Sequence, residues 1–598
     1  MLVSHARCLL VLALTAVAAL SCVAGPLPGV PWPATDALGR ELPLADDAGA
    51  PRQDRWVGIF YFLWHDNAGG RNPAGDGPYD IGKILKADPD AAKKPESPLW
   101  GPVGMYHYWG EPIYGYYRSD DPWVLRRHAD LLSAAGVDTL IFDTTNAVTY
   151  TPTFLKLCEV FSQVRSEGGS TPSICFMVNT HAGATARRIY EDLYKKGLYR
   201  DLWFVWDGKP LMICDPKEAD DELKAFFTLR RAHWPFEMVN TPYAWHWEAT
   251  YPQPYGYTDD PAKAEMVNVS VAQNLRVSDG RVTNMSNGDA RGRSFADGKM
   301  DFSPGSVDLG LNFQEQWKRV AELDPPFVMI TGWNEWIAGR WGDPKGPLVF
   351  VDQFDQQYSR DIEPARCSHG DNYYWQMAAN IRRYKGVPPI PKASAPTTIR
   401  IEGGFDQWIT VMPEYRAPAR DTLPRDHDGV AGTHYVNRTG RNDIISCKVA
   451  ADADNVYFYT RTRESLTSWA SPNWMWLLIR VVSKETGSDA SADWEGFQYI
   501  VNRKMDGPGQ TWLERCEGGW KWKEAAQLVY RTGSHELHIA IPRKALGLNG
   551  PRSGFVLDFK WLDNVQSPGD LLDVYVSGDA APIGRYRFRY IMPAPAAG

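Results

Sequence analysis

The chain of 598 residues is short of cysteine: eight in all, two of them (Cys8 and Cys22) within the first 24 residues. The other six, Cys158, Cys175, Cys214, Cys367, Cys447 and Cys516, form no CxxC pair. Their spacing excludes a dense disulfide framework and leaves one or two bridges open. The chain also lacks basic excess. Its formal net charge is −8, with no long basic run, so neither nucleic acid nor an anionic membrane is an obvious partner and a neutral ligand fits better. After residue 24 there is no run of about 20 apolar residues, which excludes a membrane-spanning helix on sequence grounds. Internal repeats, low-complexity tracts and a phosphate-binding loop are absent too.

What is abundant is aromatic. The chain carries 25 Trp, 28 Tyr and 22 Phe, more Trp than a globular core requires, and these serve either a Trp-rich β core or a ligand that indoles can cover. The length predicts two to four domains, or fewer if one is a barrel. Residues 1–24 read as a targeting segment: His5 and Arg7 precede an apolar run from Cys8 to Leu20, and small residues follow through Gly25. The expectation is an exported protein, periplasmic or extracellular. Lipid anchoring at Cys22 is the alternative, although Ala19-Leu20-Ser21-Cys22 departs from the usual lipidation pattern.

From Trp56 to about residue 355, apolar runs alternate with helical patterns, the signature of β/α units around a parallel sheet. The runs are 56–64, 137–143, 173–179, 210–215, 236–245, 266–274, 327–336 and, more weakly, 347–355. Eight of them predict an α/β fold, a (β/α)8 TIM barrel, over 25–385. Within it, Asp121 and Pro122 open a helix and Gly136 closes it before the run at Val137. Residues 386–397, with Pro388, Pro389, Pro391 and Pro396, read as an extended linker. Beyond it, 398–598 shows β-type runs parted by turn residues, which predicts an all-β sandwich.

Active sites of such barrels lie at the C-terminal ends of the strands, so polar residues there carry weight. Asp143 ends the second run and Asn179 the third. Trp245, His246, Trp247 and Glu248 follow the fifth. The seventh ends in Trp333, Asn334, Glu335 and Trp336, a carboxylate and an amide between two indoles. That set suits a sugar ring, with indole faces on its C–H surface, an amide for hydroxyls and a carboxylate for the glycosidic centre. The loop 105–117 adds His107, Trp109, Glu111 and several tyrosines. Plainer roles exist for each: Glu335 can pair with an arginine such as Arg340, Asp143 can brace its loop, Glu111 can be a turn residue, and His107 and His246 can be supports. No paired His or carboxylate stands at ligand spacing, so neither a catalytic metal nor a cofactor is expected.

WNEW at 333–336, together with YYRSDDPWVLRRHADLLSAAGVDTLIFD at 116–143, resembles glycoside hydrolase families 99 and 71 and the WbsX-related domains, over about 60–390. The resemblance implies a TIM barrel that cleaves a glycosidic bond, and it aligns Glu335 with the family's first catalytic glutamate, the base that assists the sugar's own 2-hydroxyl. The family's second glutamate, its general acid, lies three residues on, where this chain has Ala338. A different acid is therefore needed: Asp143 first, then Glu111, then Glu248, with His107, Trp109, Asn179, Trp245, Trp333, Asn334 and Trp336 holding the sugar. DADNVYFYTRTRESLTSW and FVLDFKWLDN resemble carbohydrate-binding family 9 and DOMON-like sandwiches, with Trp474, Trp476, Trp494, Trp512, Trp520 and Trp522 as candidates for a sugar-binding face. The expected function is a secreted glycoside hydrolase acting on a polysaccharide or oligosaccharide. Its rival is a non-catalytic glycan binder. Glycosyl transfer, a third reading, is disfavoured by the export segment and by the missing phosphate loop.

Overall fold

The computed structural model describes residues 25–66, 78–482, 494–548 and 554–594, so the targeting segment expected over 1–24 lies outside the described residues. Eight parallel strands form the barrel: β1 (Trp56–Tyr61), β2 (Thr139–Thr144), β3 (Ser173–Val178), β4 (Lys209–Ile213), β5 (Thr228–His233), β6 (Ala244–His246), β7 (Met266–Ser270) and β8 (Phe327–Thr331). They pair in the order β7-β8-β1-β2-β3-β4-β5-β6. Between β6 and β7 the ring is nearly closed by the intervening chain, where Gly256 N–H donates to Met266 O at 2.8 Å.

Period-two alternation sorts the side chains. Phe60, Ile141, Cys175, Leu211, Met266, Phe327 and Met329 fill the barrel interior. Ile59, Tyr61, Leu140, Phe142 and Phe176 face outward against the helices. Those helices include α1 (Pro122–Ala135), α2 (Thr151–Ser166), α3 (Ala182–Ile189), α4 (Leu311–Leu323) and α5 (Asn372–Lys385). The start and stop of α1 follow from its sequence: Asp121 accepts from Trp123 N–H, Pro122 occupies the first turn, and Gly136 takes the left-handed conformation at φ 87°.

Two of the expected barrel strands are corrected. The run 236–245 contributes only its end, as β6, and its strand neighbour is the unexpected β5, TLRRAH. That segment reads as polar because Arg230 is buried by pairing with Glu265 at 2.5 Å, so charge rather than apolar character accompanies burial there. The run 347–355 is irregular, and its aromatics Phe350 and Phe354 pack with Trp100 and Ile81 beside the barrel.

The C-terminal domain is all-β, an eleven-stranded antiparallel sheet. Phe458 and Phe559 lie on strands that are not neighbours in that sheet, yet their rings are 5.5 Å apart, so the sheet folds over its own core. Trp474, Trp476 and Trp494 are buried in this domain, whereas Trp512, Trp520 and Trp522 keep partial exposure. All six cysteines among the described residues are unpaired. No helix among the described residues is long and apolar enough to cross a membrane.

The two domains meet through buried charge. Arg425 Nε donates to Asp121 at 2.7 Å, and Arg585 Nε donates to Asp371 at 2.6 Å. Residues 386–397 themselves bond to both sides, with Val387 N–H on Gly49 O and Thr397 N–H on Ala451 O. A loose tether does not describe this junction. Arg425→Met would leave the Asp121 carboxylate buried without its cation and is expected to cost about 3 kcal/mol of stability in denaturant unfolding. A loss below about 1 kcal/mol would mean the pair is solvated as an ordinary surface bridge is.

Candidate active site

The chain leaves β8 and turns at the barrel mouth through Trp333–Trp336. Trp333 N–H donates to Phe60 O at 2.8 Å, and the Asn334 side chain accepts from Phe62 N–H at 2.9 Å while donating to Phe62 O at 3.2 Å. The amide expected to bind hydroxyls thus stitches the ends of β1 and β8 together. Its nitrogen also donates to Tyr117 OH at 3.3 Å, so both of its functions are engaged within the protein.

The expected indole platforms are also interior. Trp333, Trp336, Trp109 and Trp245 are all fully buried. Trp109 stacks on Trp336 with ring centroids 4.6 Å apart. Trp245 lies 4.6 Å from Phe327, the first residue of β8, at the barrel end opposite the mouth, where its Nε1 donates to Glu265. His107 is spent as well: one ring nitrogen faces Trp100 O at 3.0 Å, the other Met105 O at 3.3 Å, and burial lowers its pKa to about 4. Asn179 is exposed and accepts from Trp234 Nε1 at 2.9 Å.

Glu335 is held by a strap, residues 352–363, that the sequence did not mark. Glu335 Oε2 accepts from Gln353 Nε2 at 2.7 Å and from Arg360 Nη2 at 2.9 Å. Asp361 accepts from the Glu335 backbone N–H and from Trp109 Nε1, and Glu363 accepts from Trp336 Nε1 and from Tyr117 OH. The Glu335 carboxylate and Trp336 Nε1 therefore both meet strap residues, whereas Trp333 Nε1 has no partner. Arg340, the arginine considered from sequence, instead donates to Gly101 O and Pro95 O.

Three carboxyl groups face the one guanidinium of Arg360. Glu335 lies at 2.9 Å, Glu248 at 3.3 Å and Asp352 at 3.9 Å. Burial raises Glu335 well above the ordinary glutamate range; Arg360 opposes that, and Asp352 and Asp361 add to it. Burial also raises Glu248, from 4.5 to about 7, against the pull of Arg360. One cation cannot neutralise three carboxylates, so the cluster retains at least one proton near neutrality. That is the requirement for general acid catalysis.

Their accessibility differs. Glu248 is wholly buried and has both oxygens engaged, one by Asn274 N–H at 2.9 Å and one by Arg360. Asp352 has a side chain 46% exposed and, among the described residues, pairs with Arg360 alone. Burial raises its pKa, and Arg360 opposes the rise. Asp143 lies one residue before the end of β2, and its Oδ1 accepts from Thr145 N–H and Oγ1 at 3.0 and 2.8 Å. Burial raises its pKa, and Asp352 raises it further, which brings Asp143 to the same mouth. Glu111 is not brought there: it pairs with Lys83 at 2.8 Å and Arg366 at 3.5 Å. Ala338 sits in an apolar cluster with Ile81, Trp100 and Phe350, so the position that carries the acid in the resembled family points into core.

Partly exposed aromatics do occur at the mouth, and Trp64, Trp234 and Trp341 among them were not singled out from the sequence. Trp64, just beyond β1, lies 5.5 Å from Tyr106, and Tyr106 lies 6.5 Å from Trp341, itself 43% exposed. On the other side, Trp234 lies 5.3 Å from Trp247, whose ring is covered by Arg360 at 4.7 Å. These two groups flank the carboxylates.

No family model matches the chain, and no curated protein matches it. Two solved structures of the GH99 endo-alpha-mannosidase from Bacteroides thetaiotaomicron are similar to it. The first is 14% identical, spans 56% of this chain and 98% of that one, and has a TM-score of 0.33. The second, in complex with BIS-TRIS-Propane, is 14% identical, spans 55% and 97%, and has a TM-score of 0.31. At these values the likeness carries no weight on activity, which must be read from the site.

Proposed function

We propose that the chain is a glycoside hydrolase that cleaves a glycosidic bond of an extracellular polysaccharide or glycan at the barrel mouth. The observation that supports this reading is the pairing of a tightly held carboxylate, Glu335, with a solvent-facing one, Asp352, on a single guanidinium at the C-terminal ends of the strands. Glu335 accepts two hydrogen bonds on one oxygen, which oppose the rise that burial imposes, and it serves as base or nucleophile when Asp352 or Glu248 carries the cluster's proton. Asp352 is the acid, free to approach the leaving oxygen. Glu248, with both oxygens engaged, orients Arg360. Trp64, Tyr106 and Trp341 offer faces for sugar rings.

Reducing-end release from a panel of polysaccharides tests the activity, and the variants test the roles. Asp352→Asn is expected to lower kcat by about 10²- to 10⁴-fold, the range for losing a general acid. Asp143→Asn is expected to lower it less, because one of its oxygens is committed to Thr145. The reverse order would make Asp143 the acid. A wild-type protein that binds a glycan yet releases no reducing ends would support the second reading, a non-catalytic glycan binder, which the burial of Ala338 in core favours.

A further inference from the structure

The seam between the domains holds a second group of carboxylates that the barrel mouth does not use. Asp421, Asp443 and Asp579 each offer one carboxylate oxygen, and these three atoms lie within 4.8 Å of one another. Asp421 and Asp579 border a cavity of about 40 Å³, whose barrel-side wall includes Tyr114, Arg127 and Asp130.

The hydrogen bonding around this group is incomplete. Asp579 is 3% exposed; its Oδ2 accepts from Ile444 N–H at 2.6 Å, and its Oδ1 has no donor. Asp421 Oδ1 has none either. Both oxygens of Asp443 share one donor, Arg420 N–H, at 3.0 Å. The nearby arginines are spent elsewhere. Arg127 donates to the carbonyls of Asp421 and Tyr575, Arg126 donates to Glu167 and to the carbonyl of Ala419, and Arg463 reaches Asp443 only at 3.9 Å. Burial raises Asp443 to about 6 and Asp421 and Asp579 well above the carboxylate range, and the group's mutual repulsion adds to the rise in Asp421 and Asp579.

Buried anionic oxygens without donors are costly unless a cation supplies the missing charge. Oxygen ligands of Ca²⁺ sit 2.3–2.6 Å from the ion and so are at most about 5 Å apart, whereas the shorter bonds of Mg²⁺ limit that span to about 4 Å. The three oxygens here fall inside the Ca²⁺ limit. We propose that Asp421, Asp443 and Asp579 form a Ca²⁺ site, with water in the adjoining cavity completing the shell. The site braces the C-terminal domain at the point where it meets Arg127 of α1.

The test uses the full chain, stripped of metal with EDTA and titrated with calcium chloride by calorimetry while thermal unfolding is followed in parallel. One Ca²⁺ per chain and a rising Tm are expected, with magnesium chloride binding at least about tenfold more weakly. Asp421→Asn, a partly exposed position tolerant of change, is expected to weaken calcium binding at least about tenfold, since each charged ligand sets affinity. Asp579→Asn is expected to remove it. Absence of both heat and Tm shift at millimolar calcium overturns the site. So does wild-type affinity in Asp421→Asn, which keeps the test valid even if Asp579→Asn fails to fold.

Discussion

Glu335→Gln is expected to lower kcat by about 10³-fold or more while glycan affinity changes little, because the substitution removes charge and basicity without removing volume. The glutamine oxygen can still accept from Gln353 Nε2 and Arg360 Nη2, the two donors that hold the carboxylate at 2.7 and 2.9 Å. Arg360 also keeps Glu248, so the variant should fold as the parent does. The experiment measures single-turnover cleavage and equilibrium binding on the same glycan. Loss of both would indicate a disturbed mouth. Turnover within tenfold of the parent would remove Glu335 from the chemistry and shift the reading toward a barrel whose carboxylates serve only Arg360.

The barrel was legible where apolar burial and strand coincide. The strands at 56, 139, 173, 209, 266 and 327 are interior on one face and helix-covered on the other, so their sequences are continuous apolar runs. β5 was illegible because TLRRAH buries Arg230 by pairing it with Glu265, a residue 35 positions away. The neighbouring WPFEMVNTPY reads as more strand-like, yet it forms a loop in which Phe236, Met238 and Val239 are exposed. A pattern method counts apolar residues, and here the loop had more of them than the strand.

The site was legible only at its strand ends. Glu335 and Asp143 stand where a barrel strand delivers side chains to the mouth, and the structure places both there. Trp333, Trp336 and Trp109 carry the same sequence signal as a sugar platform, but all three are buried: Trp109 stacks on Trp336, and Trp333 packs edge-on against His128 and Tyr374. The strap was hidden for a different reason. Gln353 and Arg360 lie in irregular chain, and their partners Glu335 and Glu248 are 18 or more positions away, so no local period announces them. The one available signal was the charge of Arg360-Asp361-Ile362-Glu363, dense for a segment that turns out to be wholly buried.

Arg360→Leu is expected to cost about 3–5 kcal/mol, the penalty for leaving buried carboxylates without their cation, and the cost should depend on pH. In the folded parent, burial already raises Glu248 from 4.5 to about 7 despite Arg360. A carboxyl raised on folding binds more protons in the native state than in the unfolded one, so its contribution to stability falls as pH climbs from 4.5 toward the folded value. Without Arg360 the folded values of Glu248 and Glu335 rise further, and the interval over which stability is lost extends above pH 7. The variant should therefore lie nearest to the parent near pH 5, where both buried carboxyls can hold a proton in folded parent and folded variant alike, and farthest from it near pH 8. Urea unfolding of parent and variant at those two pH values measures the difference. A deficit equal at both would mean that Arg360 acts through its packing on Trp247, and that the buried carboxyls do not titrate against it.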